Sequence, residues 1–216
     1  SRYEEAQGYL QDAIDIQQRH LAPDDPVLGL TYQRYGELVN DMGELDEAEG
    51  YYTLALANLE PHEVQYRKEV SRVLLALGSL YGSRNLLALA DSVVRRAVAL
   101  QIEEHGPDHL YVGSAMLQWA SIKNMQDSVE VAKGMYRRVI EIQEAAFGAD
   151  GGIAAKSNLA RILQNRGDFE EADSLMKLAY DYYVRTFGAQ HRYSLILMNN
   201  RANLRFDQGK LDEAKG

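Results

Sequence analysis

At 216 residues, with 46% hydrophobic and 25% charged side chains and four prolines, the chain carries enough apolar material to bury a large core, which excludes a disordered polypeptide. Its formal charge of −9 opposes phosphate backbones and anionic lipid surfaces, so neither nucleic acid nor membrane is an expected partner. The absence of cysteine excludes disulfides and thiolate metal sites; with no apolar run of about eighteen residues, and an opening stretch SRYEEAQGYLQD too polar for a secretory signal, the expected location is cytoplasmic.

In chain order, residues 3–20 read as the trailing helix of a partial repeat, and the first complete repeat covers 27–60. Its leading helix, Val27 to Met42, places Leu28, Tyr32, Tyr35, Leu38 and Val39 at steps of three and four, the spacing of one apolar helix face. Gly43 ends it, the turn GELDEA follows, and the trailing helix Leu45 to Leu59 presents Ala48, Tyr52, Ala55 and Leu56. The second repeat, 64–105, has EVQYRKEV where the others have a linker, so the helix break is expected upstream at Pro61, because proline cannot continue a helix interior. Its trailing helix presents Ala90, Val94, Ala97 and Val98, and that of the third repeat, 109–147, presents Ala132, Tyr136, Val139 and Ile140. The fourth repeat, 151–187, is two residues short around Gly151 and Gly152, so its leading helix is expected to start late or to enter at a shifted angle. The last, 191–216, stops barely one turn into a further trailing helix.

Three small-residue series hold one phase through these segments. Ala6, Ala48, Ala90, Ala132, Ala172 and Ala214 follow one another at 42, 42, 42, 40 and 42 residues. Gly36, Gly78, Ala120, Ala160 and Ala202 run twelve residues ahead of them, and Ala13, Ala55, Ala97, Val139 and Ala179 run seven behind. Composition alone does not produce this, so the chain is an array of similar two-helix units stacked in one dimension, with alanine letting helix axes approach closely. Gly43, Asn85, Asp127, Gly167 and Gly209 occupy equivalent turn positions and are the residue types that tolerate positive φ after a helix. The linkers LAPDDPVL, HGPDHLYV, FGADGGIA and FGAQHRYS repeat too, and Asp24, Asp108 and Asp150 fit capping or first-turn positions of the next helix.

The spacing of Gly36, Ala48 and Ala55, with the turns GELDEA, GDFEEA and GKLDEA, resembles the tetratricopeptide repeat, and the 42-residue period with linkers FGAQH and HGPDH resembles the longer subclass of kinesin light chains and many bacterial signalling proteins. The resemblance spans essentially the whole chain. It implies an all-α fold, a right-handed α-solenoid (superhelix) of antiparallel helix pairs, whose leading helices line a concave groove for an extended peptide or a partner helix. Met116 and Met198 stand where that family often has a large aromatic, Lys156 takes that place in the fourth repeat, and Arg201 replaces a usual leucine, so packing in the fifth repeat is expected to depart from the pattern.

By the geometry the resemblance implies, the groove face carries Gln33, Arg34, Glu37, Asn40 and Asp41, then Arg72, Leu75, Ala76 and Ser79. Ser114, Leu117, Gln118, Ser121 and Asn124 follow in the third repeat, Ser157, Asn158, Arg161, Gln164 and Asn165 in the fourth, and Ile196, Asn199, Asn200, Asn203 and Phe206 in the fifth. Asn158 and Asn200 match the position where such grooves often place an asparagine, with Gln118 and Arg34 as equivalents. Carboxamides both donate and accept, so this ladder suits the backbone of an extended peptide, while Arg34, Arg72 and Arg161 suit carboxylates; an acidic or mixed-polarity peptide is the expected ligand. The competing reading is that the amides serve solubility alone and that Glu37 or Asp41 pairs with Arg34 along the helix. The lysine set with which some members clamp a chaperone C-terminal carboxylate has no match here.

No catalytic, cofactor or metal site is expected. His105 and His109 are interrupted by Pro107 and lack further ligands, the Ser174 to Lys177 string lies inside a trailing helix, and neither G-x-x-x-x-G-K-S/T nor G-x-G-x-x-G occurs. Trp119 and most tyrosines fall in packing stripes, with Tyr180, Tyr182 and Tyr183 also offering a convex contact surface. Both ends look uncapped, which suggests a segment of a longer protein and self-association through faces bearing Leu204 and Leu211. Two functions follow: a protein-binding scaffold, or a regulatory or oligomerisation segment of a larger signalling protein.

Overall fold

The computed structural model describes residues 2–209, which form ten α-helices. They divide into two compact units that meet at Pro107 and Asp108 in the chain. The N-terminal unit contains α1 (Arg2–His20), α2 (Pro26–Met42), α3 (Leu45–Leu59), α4 (Glu63–Ser83) and α5 (Leu87–His105). The C-terminal unit contains α6 (Leu110–Met125), α7 (Val129–Phe147), α8 (Ile153–Arg166), α9 (Phe169–Phe187) and α10 (Arg192–Asp207). Within each unit leading and trailing helices pack as antiparallel pairs, α2 on α3, α4 on α5, α6 on α7 and α8 on α9.

The small-residue series mark where helices cross. Ala48, Ala90, Ala132 and Ala172 are wholly buried, as are Ala55, Ala97, Val139 and Ala179 seven residues on, and Ala120 and Ala160 on the leading helices. A Cβ on Gly36 would lie 2.9 Å from the Tyr52 ring, which is why that crossing has no side chain. Ala6, Ala13 and Ala202, on α1 and α10, are only half-buried. Ala214, Leu211 and the GKLDEA turn lie outside the described residues.

The turns that follow the leading helices carry the expected left-handed residue at Gly43, Asn85, Asp127, Gly167 and Gly209. At four of them the same two backbone bonds close the helix; at the first, Gly43 N–H donates to Asn40 O and Glu44 N–H to Val39 O. This is the Schellman arrangement, which satisfies carbonyls a helix end otherwise leaves bare.

The linkers depart from expectation. Asp25, not Asp24, caps α2 by accepting from Val27 N–H at 2.8 Å. Histidines do the same elsewhere: His109 Nδ1 accepts from Tyr111 N–H at 3.2 Å and His191 Nδ1 from Tyr193 N–H at 3.4 Å. Asp108 and Asp150 pair instead with Arg138 and Arg185 on the trailing helices α7 and α9. A carboxylate gains more from a guanidinium than from one amide. The break at Pro61 is a single 3-10 turn, Glu60–His62, followed by a kink in α4 at Tyr66 (φ −112°, ψ 27°).

The shortened fourth repeat starts late. Ala160 lies seven residues into α8, whereas Gly36 and Ala120 lie ten into α2 and α6. Lys156, in the place of a large aromatic, is 1% exposed and ties the short linker down: its ammonium donates to Ala149 O and Gly151 O, each at 2.8 Å, and pairs with Glu144 Oε1 at 2.7 Å. In the fifth repeat Arg201 Nε reaches Asp173 on α9 at 3.0 Å, and Arg205 pairs with the same carboxylate. Leu204 is 0% exposed among Ala172, Met176 and Leu163, so it does not belong to an open association face.

Candidate functional site

In the N-terminal unit the face in question is formed by α2 and α4. Arg34 and Arg72 are exposed and Asn40 half-buried. Gln33 does not join them: it is 3% exposed, and its amide donates to Glu37 Oε1 at 2.9 Å, so it leaves the set of ligand-facing residues. Among the described residues Arg34 and Arg72 enter no ion pair, so the lateral pairing of Arg34 with Glu37 or Asp41 does not form. Behind this face Tyr52 is pushed up to about 12, first by burial and then by the negative charge of Glu37 and Asp41.

In the C-terminal unit the face comes from α6, α8 and α10. Arg161, Asn165, Asn199 and Asn203 are exposed, and Gln118, Asn124, Asn158 and Asn200 are half-buried. The exposed Ile196 and Phe206 give α10 an apolar border. The three leading helices hold Lys123, Lys156, Arg161, Arg166, Arg192, Arg201 and Arg205 against one carboxylate, Asp207. Lys156, Arg201 and Arg205 are bound to Glu144 and Asp173 of the trailing helices; among the described residues Arg161 enters no ion pair. The opposite excess sits in residues 1–50, where twelve carboxylates face three arginines and account for the whole net charge of the chain. A local cationic face in an acidic protein attracts anions to that face rather than to the surface at large.

The structure adds a residue that pattern reading assigned only to packing. Tyr136 on α7 is 1% exposed, yet its hydroxyl lies 3.0 Å from Ser121 Oγ on α6. Burial pushes this phenol up, while hydrogen bonds from Ser121 and Asn158 and the Arg161 charge pull it down. The signal was present in the sequence: equivalent positions hold Tyr52, Val94 and Met176, so a hydroxyl stands at this crossing in two repeats only.

Other candidates resolve into structure. His109 is the α6 cap, and Ser174 donates to Glu170 O at 3.0 Å within α9. Tyr180, Tyr182 and Tyr183 pack among Ile153, Ala179 and Leu197 instead of standing clear as a convex surface, and Tyr183 continues into Phe187, His191 and Tyr193. Among the described residues no three His, Asp or Glu side chains gather as a metal site, and no helix is long and apolar enough to cross a membrane.

The sequence pattern of the tetratricopeptide repeat matches residues 1–60 and 153–215. Protein KINESIN LIGHT CHAIN-RELATED 2 of Arabidopsis thaliana is 24% identical over 99% of this chain, which spans about a third (33%) of that relative's length. Among solved structures, BtubC (BKLC) from P. vanneervenii superposes with a TM-score of 0.81 at 17% identity, covering 100% of this chain and 87% of that one. A Podosopora anserina putative kinesin light chain with nearly identical TPR-like repeats gives 0.74 at 17% identity, covering 91% and 92%. YrrB, a TPR protein with an unusual peptide-binding site, gives 0.60 at 15% identity, covering 95% and 86%.

Proposed function

The chain belongs to the tetratricopeptide repeat family, and from that premise we propose that it is a protein-interaction scaffold whose leading-helix faces hold an extended, acidic peptide segment of a partner protein. The observation that carries this reading is the charge partition in residues 108–209: α6, α8 and α10 carry seven cations against one carboxylate, and although Lys156, Arg201 and Arg205 are bound to Glu144 and Asp173, exposed Arg161 enters no ion pair among the described residues, inside a chain whose overall charge is −9. The amides of Gln118, Asn158, Asn199, Asn200 and Asn203 supply donors and acceptors for a peptide backbone, whose own groups recur every residue and need no particular side chain. The peptide-binding character of YrrB, a protein of the same fold, accords with this use of the surface. Arg34, Asn40 and Arg72 in the N-terminal unit offer a second, smaller face beside Glu37 and Asp41, less suited to an anionic ligand.

The test is affinity. A fluorescein-labelled hexaglutamate peptide is the probe, read by anisotropy. Replacing Asn158 and Asn200 together by alanine is expected to weaken binding by about 1–3 kcal/mol, the loss expected when hydrogen bonds to a desolvated ligand are removed. An unchanged affinity would remove this face from the binding account.

A further inference from the structure

Each trailing helix carries a small, exposed residue two positions after its crossing alanine: Gly8, Gly50, Ser92, Gly134 and Ser174. A Cβ on Gly50 would meet nothing within 4 Å, so no turn or helix crossing among the described residues calls for glycine there. Glycine inside a helix costs stability relative to alanine, and no internal contact offsets it. Around this residue α3 differs from its counterparts. Thr53, Leu54 and Ala57, at steps of three, four and seven from Gly50, are exposed and share its face. The Thr53 hydroxyl donates to Glu49 O at 2.8 Å, so this polar group is engaged within the helix. The equivalent positions hold Asp12 and Asp15 on α1, Arg95 and Arg96 on α5, Arg137, Arg138 and Glu141 on α7, and Lys177 and Asp181 on α9. Of the trailing helices described, α3 alone has an outward stripe without charge.

Anions border this stripe. Asp46 and Glu49 share the guanidinium of Arg84, while Glu44 and Glu47 are exposed and enter no ion pair among the described residues. Over Gly50 the surface dips into a shallow concavity of about 710 Å³, with Tyr51 and Leu54 on its apolar side and Asp46, Glu47 and Glu49 at its rim. A bare glycine lets a second helix axis approach closely, the neighbouring apolar side chains fill the space around it, and the carboxylates select the sign of what approaches. We propose that the outer face of α3 docks a basic amphipathic helix of a partner protein, with its apolar edge over Gly50 and Leu54 and its cations towards Glu44 and Glu47. A second copy of this chain is the poorer occupant, because α3 against α3 would bring together two copies of residues 1–50, where the whole net charge of −9 resides. The surface lies on a trailing helix, apart from the leading-helix faces, so it goes beyond the peptide-scaffold reading and does not depend on it.

The probe is a fluorescein-labelled peptide of lysine, leucine and alanine in amphipathic helical phase, compared by anisotropy with a peptide of the same composition in permuted order, using the whole chain. Wild type is expected to bind the amphipathic peptide about tenfold tighter than the permuted one. Gly50→Gln is expected to weaken that binding about tenfold while raising the urea midpoint, because glutamine is the better helix former; a folding defect would lower both. Leu54→Gln is expected to weaken binding about fivefold through lost apolar contact, and Glu44→Lys combined with Glu47→Lys to remove most of its salt dependence. Gly134→Gln, the same change beside the cations of α7, is expected to leave binding unaltered. Equal affinity for the two peptides, binding unaffected by both Gly50→Gln and Leu54→Gln, or an equal loss from Gly134→Gln would overturn the site. So would a dimer in sedimentation equilibrium that Gly50→Gln dissolves, since the stripe would then belong to a second copy.

Discussion

Replacing Lys156 by methionine is expected to lower the unfolding free energy by about 2–4 kcal/mol, measured by urea denaturation followed by circular dichroism. The ammonium has three donors, and Ala149 O, Gly151 O and Glu144 take one each. Methionine preserves the length of the stem, and Met116 and Met198 occupy the same position in the third and fifth repeats, so shape is not the difficulty. The loss comes from two carbonyls left without a partner, at about 1–3 kcal/mol each. It is reduced because an ammonium no longer has to be dehydrated on folding. Glu144, with 42% of its side chain exposed, can rehydrate, so Glu144→Gln is expected to cost under about 1 kcal/mol. If Lys156→Met were as stable as wild type, the dehydration penalty would equal everything the three contacts return, and Lys156 would not be what fixes the α7–α8 linker.

A second large loss is expected for Gly151→Ala, at about 3 kcal/mol or more, by the same denaturation. Its backbone (φ −69°, ψ 152°) is open to any residue, so conformational freedom is not the reason for glycine here. Space is. A Cβ would sit 2.2 Å from Gln143 O and 2.5 Å from Glu144 N, both backbone atoms of α7 that no rotamer change can move aside. Relief requires the linker to lift away from α7, which also pulls Gly151 O from Lys156 and shifts the start of α8. Gly134→Ala, on α7 with nothing within 4 Å of the added carbon, is the control and is expected to stabilise by about 0.5–1 kcal/mol. Equal effects from the two substitutions would mean that the close approach at Gly151 does not exist in solution.

The repeat architecture was legible because it is written in residues that have few substitutes. A helix crossing as close as that of Gly36 on Tyr52 admits only small side chains, and a left-handed turn after a helix admits glycine, asparagine or aspartate, so phase and turns survive in the sequence itself. Contacts between side chains some thirty residues apart leave no such trace. Asp108 and Asp150 look like caps until Arg138 and Arg185 come within reach, and the capping then passes to His109 in the third repeat. Lys156 reads as an oddity and is the tie that compensates for the missing linker residues. Gln33 has the polarity of a ligand-facing residue but lies buried against Glu37, and Tyr136 has the look of a core residue but carries its hydroxyl to Ser121. Residue type misread the face of Gln33 and the role of Tyr136; only the packing around them reported both.

The most direct measurement of the account is the footprint of bound hexaglutamate on the isotope-labelled chain, followed through backbone and side-chain amide resonances in heteronuclear NMR. Perturbations are predicted along the leading helices of the C-terminal unit, at Gln118, Asn158, Arg161, Asn200 and Asn203, shrinking as salt is raised because the attraction is electrostatic. A footprint on the outer sides of α7 and α9, around Arg137 and Lys177, with Asn158 and Asn200 undisturbed, would contradict it.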